Sequence, residues 1–346
     1  MKKVLVLMSG GVDSSVTLYL LKQAGYRVQG LTFDMVGEGS RCCDVKDILD
    51  ARRVASMLDV PHRVIDVREE FKKIVIDYFI KEYKSGRTPN PCVICNREIK
   101  IAMGIKIADS LGFDYVATGH YARVKKNNAP HLLKAIWREK SQEYFLSMIK
   151  REHLNRLLLP LGEHTKEDVR NIAREMGMMV SEKEESQEVC FVGKDYREFL
   201  EKAGITRKKG EILLKNGKKV GTHDGYHLFT IGQRRGINVS LGKRYYVYRI
   251  DAAANRVFVA EWDDLLSRKF IVNNVNWIEE VSFPLKCRVK VRYRHDEVDA
   301  TVEDIGDEMY RVKTDKPVFA VTPGQVAAFY EEDMVLGGGI IYERED

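Results

Sequence analysis

The stretch SGGVDSS, Ser9 to Ser15, follows directly on the apolar run 4–7 and leads into an apolar helical pattern over 16–24. A loop that leaves the end of a parallel strand and enters a helix gathers free backbone N–H groups and the positive end of the helix dipole at one point. That point favours an anion. Gly10 and Gly11 allow the backbone to approach it closely, and Ser9, Ser14 and Ser15 offer hydroxyl donors. Asp13 is out of place beside phosphate unless a cation accompanies it. The nucleotide loop G-x-x-x-x-G-K-[ST] requires a lysine that does not follow these glycines, and the dinucleotide pattern G-x-G-x-x-G is absent as well.

Working outward, strand-like runs at 4–7, 28–33, 63–67 and 115–117 alternate with helical patterns at 14–24, 45–58, 70–83 and 97–111. Right-handed crossovers of that length give an α/β fold, a doubly wound parallel sheet covered on both faces. After about Lys150 helices crowd together, and Thr165-x-x-Asp168 with Gly177 marks one of them as capped at both ends. This predicts a helical extension. From about Gly210 the pattern turns to short strands broken at Asn216-Gly217, Asp224-Gly225, Gly306-Asp307 and Pro323-Gly324. Three parts are expected: a catalytic domain with its extension over 1–205, a small β-rich central domain over 206–268, and a C-terminal β-barrel over 269–346.

A chain of 346 residues exceeds the roughly 250 at which single cores stop growing, which agrees with several domains. With 44% apolar and 31% charged residues it has the balance of a water-soluble globular protein. No apolar run approaches the ~20 residues of a membrane span and no signal peptide is evident, so a cytoplasmic protein without a membrane partner is expected. The formal charge of +6 permits a nucleic-acid partner without demanding one.

SGGVDSS resembles the pyrophosphate-binding loop of ATP pyrophosphatases, which split ATP between its α and β phosphates and adenylate an oxygen of their substrate. The cysteines narrow the substrate. Six are too few for a disulfide framework in a reducing compartment. Cys92 and Cys95 stand at C-x-x-C spacing before a helix expected to begin near Arg97, whose positive end favours thiolate. Cys190 lies in the short segment SQEVCFVG, 186–193. Cys287, between Lys286 and Arg288, reads as a structural thiol on a strand, and adjacent Cys42 and Cys43 receive no role.

Taken together, MSGGVDSS, GRTPNP, CNREIK, ATGHYAR, SQEYFL, SQEVCF, HDGYHLFTIGQRRG, KVRYR, VTPGQ and LGGGII resemble, in order and over nearly the whole length, the bacterial tRNA-specific 2-thiouridylases. These replace the 2-oxygen of the wobble uridine of tRNA with sulfur. The resemblance implies that Leu7, Met8, Ser9, Gly10, Gly11, Val12, Asp13 and Ser14 hold the phosphates of ATP with Mg2+, Phe33 lies on the adenine, and Gly119 completes the nucleotide site. It implies a persulfide on Cys190 with Cys95 as its nucleophilic partner, able to form a disulfide with it. Asn90, Pro91 and Cys92 would meet the target base. Lys140, Ser141 and Gln142, with Arg292, Tyr293 and Arg294 on a strand, would hold the tRNA. A sulfur-donor protein is a further implied partner. Two departures stand out: many members carry aspartate at Cys92, and many read K-D-Q-S-Y-F at Lys140–Phe145.

Two sulfur routes remain open. Adenylation turns a poor leaving oxygen into AMP, after which a Cys190 persulfide supplies sulfur and Cys95 closes a disulfide behind it. Alternatively, Cys92, Cys95 and Cys190 hold a [4Fe-4S] cluster with one iron open for hydrosulfide. Lys286, Arg288, Lys290, Arg292 and Arg294 recur at every second residue and would form a cationic strand face for RNA phosphate. A hairpin would equally pair that row with Glu297, Asp299 and Glu303. Arg207-Lys208-Lys209 and Arg234-Arg235 are basic runs with no adjacent acid. His120 and His223 are expected to be structural or ligand-adjacent. Rival expectations are an amide-forming synthetase of the same loop class, a thiolase of another tRNA position, and a non-catalytic RNA-binding protein with a redox-sensing cluster.

Overall fold

In the computed structural model, which describes residues 1–36, 45–178, 189–193, 195–237, 239 and 242–345, the first strand, β1 (Lys3–Leu7), carries the alternation of a strand covered on both faces. Val4 and Val6 enter one core and Leu5 and Leu7 the other, because successive side chains point to opposite sides. Each such burial contributes about 1.5–3 kcal/mol. The chain continues through α1 (Val12–Gln23), β2 (Arg27–Asp34), α2 (Val45–Met57) and β3 (His62–Asp66). Next, α3 (Arg68–Phe71), a π-wound turn (Lys72–Ile76) and α4 (Asp77–Lys84) run on without a break. So do α5 (Pro91–Ile94), a π-wound stretch (Cys95–Met103) and α6 (Gly104–Ser110). After β4 (Tyr115–Ala117) come the hairpin β5 (Ala122–Lys126) and β6 (Pro130–Lys134), then α7 (Arg151–Leu154), β7 (Leu157–Leu158), α8 (Lys166–Glu175) and α9 (Tyr196–Lys202).

The parallel sheet has the order β3-β2-β1-β4-β7. Successive connections leave β1 in opposite directions, so the strand order reverses between β1 and β4. A crevice opens there, at the carboxyl ends of the two strands. The expected doubly wound sheet and helical extension are present. Thr165 caps α8 through its hydroxyl while Asp168 returns a bond to the Thr165 N–H, and Gly177 takes a φ of +65° behind the helix.

Two local expectations need correction. The helix expected to begin near Arg97 begins at Pro91, whose missing N–H costs nothing at a first helical position, so Cys92 and Cys95 lie within the helical stretch rather than before it. The hairpin β5–β6 and the two-residue strand β7 add to the expected elements, and β6 joins the C-terminal barrel through Leu133 opposite Met334. Cys42, Cys43 and residues 186–188 of SQEVCF lie outside the described residues.

The central module contains β8 (Gly210–Leu214), β9 (Lys219–His223), β10 (Tyr246–Asp251) and β11 (Arg256–Ala260), ordered β10-β11-β8-β9. Gly217, at φ +86°, makes the turn between β8 and β9. The last module is built from β12 (Leu266–Trp277), β13 (Leu285–Lys290), β14 (Val298–Asp304), β15 (Tyr310–Phe319), β16 (Val326–Glu331) and β17 (Met334–Arg344). Its order β12-β15-β14-β13-β16-β17 closes into a six-stranded barrel because β12 also pairs with β17. Closure leaves those two strands with no free edge.

Candidate active site

The opening loop folds as a cradle. Gly11 caps α1 with extended backbone, and Gly10 turns at φ +69°, where a Cβ would stand 2.2 Å from the Asp47 carbonyl oxygen. Only glycine fits. Across the crevice, a Cβ on Gly119 would stand 2.9 Å from the backbone of Asp13 and Ser14, so the loops after β1 and β4 touch. Leu7, Met8, Ser9, Asp13, Ser14, Phe33 and Gly119 line the resulting cavity. Gly10, Gly11 and Val12 shape the turn without lining it. Ser15 faces inward, donating to the Gly11 carbonyl at 2.9 Å, and Ser14 donates to the same oxygen at 3.1 Å.

Asp13 is met by a cationic side chain of the protein itself. Lys166, the first residue of α8, is nearly buried and places its Nζ 2.7 and 2.9 Å from the two carboxylate oxygens of Asp13. Tyr121 adds an O–H donor at 2.9 Å. Sequence reasoning misses Lys166 because it lies 153 residues from Asp13. Capping of α8 is legible, but its target is not.

Lys100, Thr118, His120 and Gln142 complete the polar lining, with Leu31 and Met35 extending the apolar wall beside Phe33. Burial pulls the His120 imidazole down to about 3, and nearby Lys100 adds to the effect. His120 is therefore a neutral ring whose Nδ1 shares a hydrogen bond with the Thr118 hydroxyl at 2.8 Å. In the sequence Lys100 stands out only as the end of CNREIK. It stands on the π-wound stretch Cys95–Met103, a winding frequent at functional sites.

The cysteines sit behind this wall. Cys95 is buried in the core cluster that also holds Leu5, Leu7 and Phe33, and Cys190 packs against the same cluster, half-buried like Cys92. Phe191 fixes the segment after Cys190, with ring centroids 5.7, 5.3 and 5.3 Å from Phe71, Phe79 and Phe199. Among the described residues no three His, Cys, Asp or Glu side chains gather closely enough to hold a metal. Nothing in the arrangement of Cys92, Cys95 and Cys190 supports a [4Fe-4S] cluster. Cys287 belongs to the barrel, where desolvation pushes its thiol up to about 12.

The residues singled out for RNA divide sharply. Strand β13 ends at Lys290, so Arg292, Tyr293 and Arg294 follow in a turn and not on a strand, which breaks the expected row of five cations. The Arg292 guanidinium points inward, donating to Ile231 O at 3.0 Å, Ala320 O at 3.1 Å and the Thr322 hydroxyl. Tyr293 packs against Phe145 with ring centroids 4.5 Å apart and the rings tilted by 41°. Arg288 pairs across the hairpin with Asp299 and lies 3.5 Å from Glu297. Arg207, expected without an acid, meets Glu201 at 2.7 Å. Arg234 and Arg235 are exposed.

In the SQEYFL segment, Ser141 and Glu143 are buried and bonded to each other, and the Tyr330 hydroxyl reaches Glu143 at 3.2 Å. Gln142 bonds the Tyr121 backbone through both its own N–H and its side-chain oxygen. Lys140 is half-buried at the edge of this segment.

A parallel sheet with a glycine–serine cradle at its switch point, followed by two β modules, defines a multidomain protein of the HUP class. A family model described as "tRNA methyl transferase HUP domain" matches residues 2–194. Two others, the "tRNA methyl transferase PRC-barrel domain" and the "Aminomethyltransferase beta-barrel domain", match residues 197–261 and 267–341. Proteins named tRNA-specific 2-thiouridylase MnmA match along the whole chain. That of Carboxydothermus hydrogenoformans is 45% identical, covering 99% of this chain and 98% of its own. That of Aquifex aeolicus is 44% identical over 99% of both chains, and that of Halothermothrix orenii 43% over 99% and 100%. The chain belongs to the tRNA-specific 2-thiouridylase family.

Proposed function

We propose that the protein is a tRNA-uridine 2-sulfurtransferase that replaces the 2-oxygen of the wobble uridine with sulfur at the expense of ATP. The observation that carries this reading is a single helical stretch. Cys95 opens it inside the core, and Lys100, less than about 8 Å further along the axis, lines the nucleotide cavity. One rigid element therefore serves both the phosphate end and the sulfur end.

The cavity suits ATP. Phe33 and Met35 offer an apolar surface to adenine, while Ser9, Ser14 and the start of α1 offer donors to phosphate. Lys100 supplies positive charge. Asp13, the single carboxylate among the described lining residues, is offset by Lys166 across both its oxygens. Mg2+ would arrive on the phosphates as part of the substrate.

The uracil 2-oxygen attacks the α phosphorus, pyrophosphate leaves, and the N3 proton is lost from the adenylated ring. The terminal sulfur of a Cys190 persulfide then attacks carbon 2 and AMP departs. Cys95 thiolate attacks the Cys190 Sγ, releasing the 2-thiouridine and forming a Cys95–Cys190 disulfide, which an external thiol reduces before a sulfur-donor protein reloads Cys190. Asn90, Pro91 and Cys92 would receive the base. Exposed Arg234 and Arg235, rather than inward-turned Arg292, are the stronger candidates for tRNA phosphate, with Arg294 and Lys140 beside them. Labour would divide over 1–205 for chemistry and 206–268 and 269–346 for holding tRNA. The reading carries a cytoplasmic setting with it; no helix among the described residues is long and apolar enough to cross a membrane.

The test is to supply unmodified tRNA, ATP and a persulfide donor, then measure AMP and 2-thiouridine together. Thiolation that requires ATP and releases one AMP per sulfur supports the proposal. AMP release driven by a small molecule without tRNA would instead favour a synthetase.

A further inference from the structure

The segment Thr88–Pro89, which leads into Asn90-Pro91-Cys92, is held by the C-terminal barrel 237 residues away in sequence. The Gln325 side-chain amide donates to Thr88 O at 2.8 Å and to Pro89 O at 3.2 Å. The Thr88 N–H donates to Pro323 O at 3.0 Å. Gly324, at φ +93°, lies so close that a Cβ would stand 3.0 Å from the Thr88 carbonyl carbon and oxygen. Next in the chain, the Val326 carbonyl accepts the Tyr144 hydroxyl at 2.9 Å. Thr322 at the head of the loop is itself fixed by Arg292, which spans from the barrel to Ile231 of the central module.

Three consecutive barrel residues, Pro323, Gly324 and Gln325, thus hold Thr88 and Pro89 just before the C-x-x-C helix. The contacts to Thr88 and Pro89 are to backbone atoms, which set position and carry no base specificity. We infer that the 322–326 loop of the barrel is a positioning clamp for the base-receiving segment, with Gln325 as its principal residue, so that seating of the barrel determines where Asn90, Cys92 and Cys95 stand. Gln325 touches neither nucleotide nor sulfur; it acts through Thr88 and Pro89. This rests on the proposed thiolation for its functional consequence but not for its structural one.

Full-length Gln325→Glu keeps the shape and removes the donor, and Gln325→Asn, one methylene shorter, is a milder companion if the first variant folds poorly. Three quantities are measured: single-turnover thiolation at saturating tRNA and ATP, tRNA affinity, and hydrogen exchange over 88–96. The clamp predicts thiolation slower by about ten- to a hundredfold, since misplacement of about 1 Å costs that much. It also predicts tRNA affinity within about twofold and faster exchange confined to 88–96. A double-mutant cycle with Asn90→Ala should be strongly non-additive, because both changes loosen one segment. Wild-type thiolation with unaltered exchange overturns the inference, as does a rate loss matched by loss of tRNA affinity, which would make Gln325 an RNA contact. If the unmodified protein does not thiolate tRNA yet Gln325→Glu still frees 88–96, the clamp stands and the functional proposal falls.

Discussion

The proposed nucleotide end and the proposed sulfur end are built in opposite ways. Ser9, Asp13 and Ser14 come from one continuous loop and the first turn of α1, and Gly119 comes from the loop after the neighbouring strand of the same sheet. The sulfur end instead joins Cys95, the segment around Cys190 and a base-receiving segment braced by the barrel. Backbone geometry dictates the first, whereas the second depends on distant modules being docked. The two ends should therefore fail separately.

The largest effect comes from the thiols. Cys190→Ser or Cys95→Ser should reduce 2-thiouridine formation by about 10³-fold or more while tRNA-dependent pyrophosphate release in the first turnover persists, as measured by parallel assays of both products. Loss of pyrophosphate release in the same variants would merge the two ends. Next is the Asp13–Lys166 pair. Lys166→Met strands a partly buried carboxylate and should cost about 2 kcal/mol in urea unfolding, a figure discounted for the exposure Asp13 retains. Asp13→Asn in the same chain should restore most of it.

Charge reversal at Arg234 and Arg235 should weaken tRNA binding and flatten its salt dependence by about one unit of slope for each phosphate no longer neutralised. Arg292→Lys should leave that slope unchanged and lower the unfolding midpoint, because its bonds go to Ile231, Ala320 and Thr322. Smallest is the effect of Cys92→Ser, expected to keep thiolation within about twofold because the persulfide route does not use this thiol. His120→Gln should likewise leave the pH profile of thiolation without a new limb near 6.5. With its imidazole pulled down to about 3 from an ordinary 6.5, His120 is neutral over the working range. The folded state refuses a proton that the unfolded chain accepts, so this residue's contribution to stability is complete above 6.5 and declines as pH falls toward 3.

What can be read from sequence follows the same division. Strand β4 is legible at 115–117 and α8 is marked by Thr165, Asp168 and Gly177, since periodicity and caps are local signals. The strand β7, two residues long, carries no period to detect. The hairpin β5–β6 escapes notice because Arg123, Lys125, Lys126 and Lys134 obscure its apolar face, and because its partner, Met334, is far along the chain. Lys166 and Gln325 escape for the latter reason. Neither has a sequence neighbour that reveals its target. The alternation of cations from Lys286 to Arg294 suggests one strand face, but the strand stops at Lys290 and the cations disperse.

The central claim is that one uracil carbon loses its oxygen to the nucleotide end and receives sulfur from the other. It is tested most directly with tRNA carrying oxygen-18 at carbon 2 of the wobble uridine, followed by mass spectrometry of the AMP released during thiolation. The account predicts AMP bearing one oxygen-18. Unlabelled AMP accompanying normal 2-thiouridine formation would contradict it, because the uracil oxygen would then have left by a path that never joined it to the nucleotide.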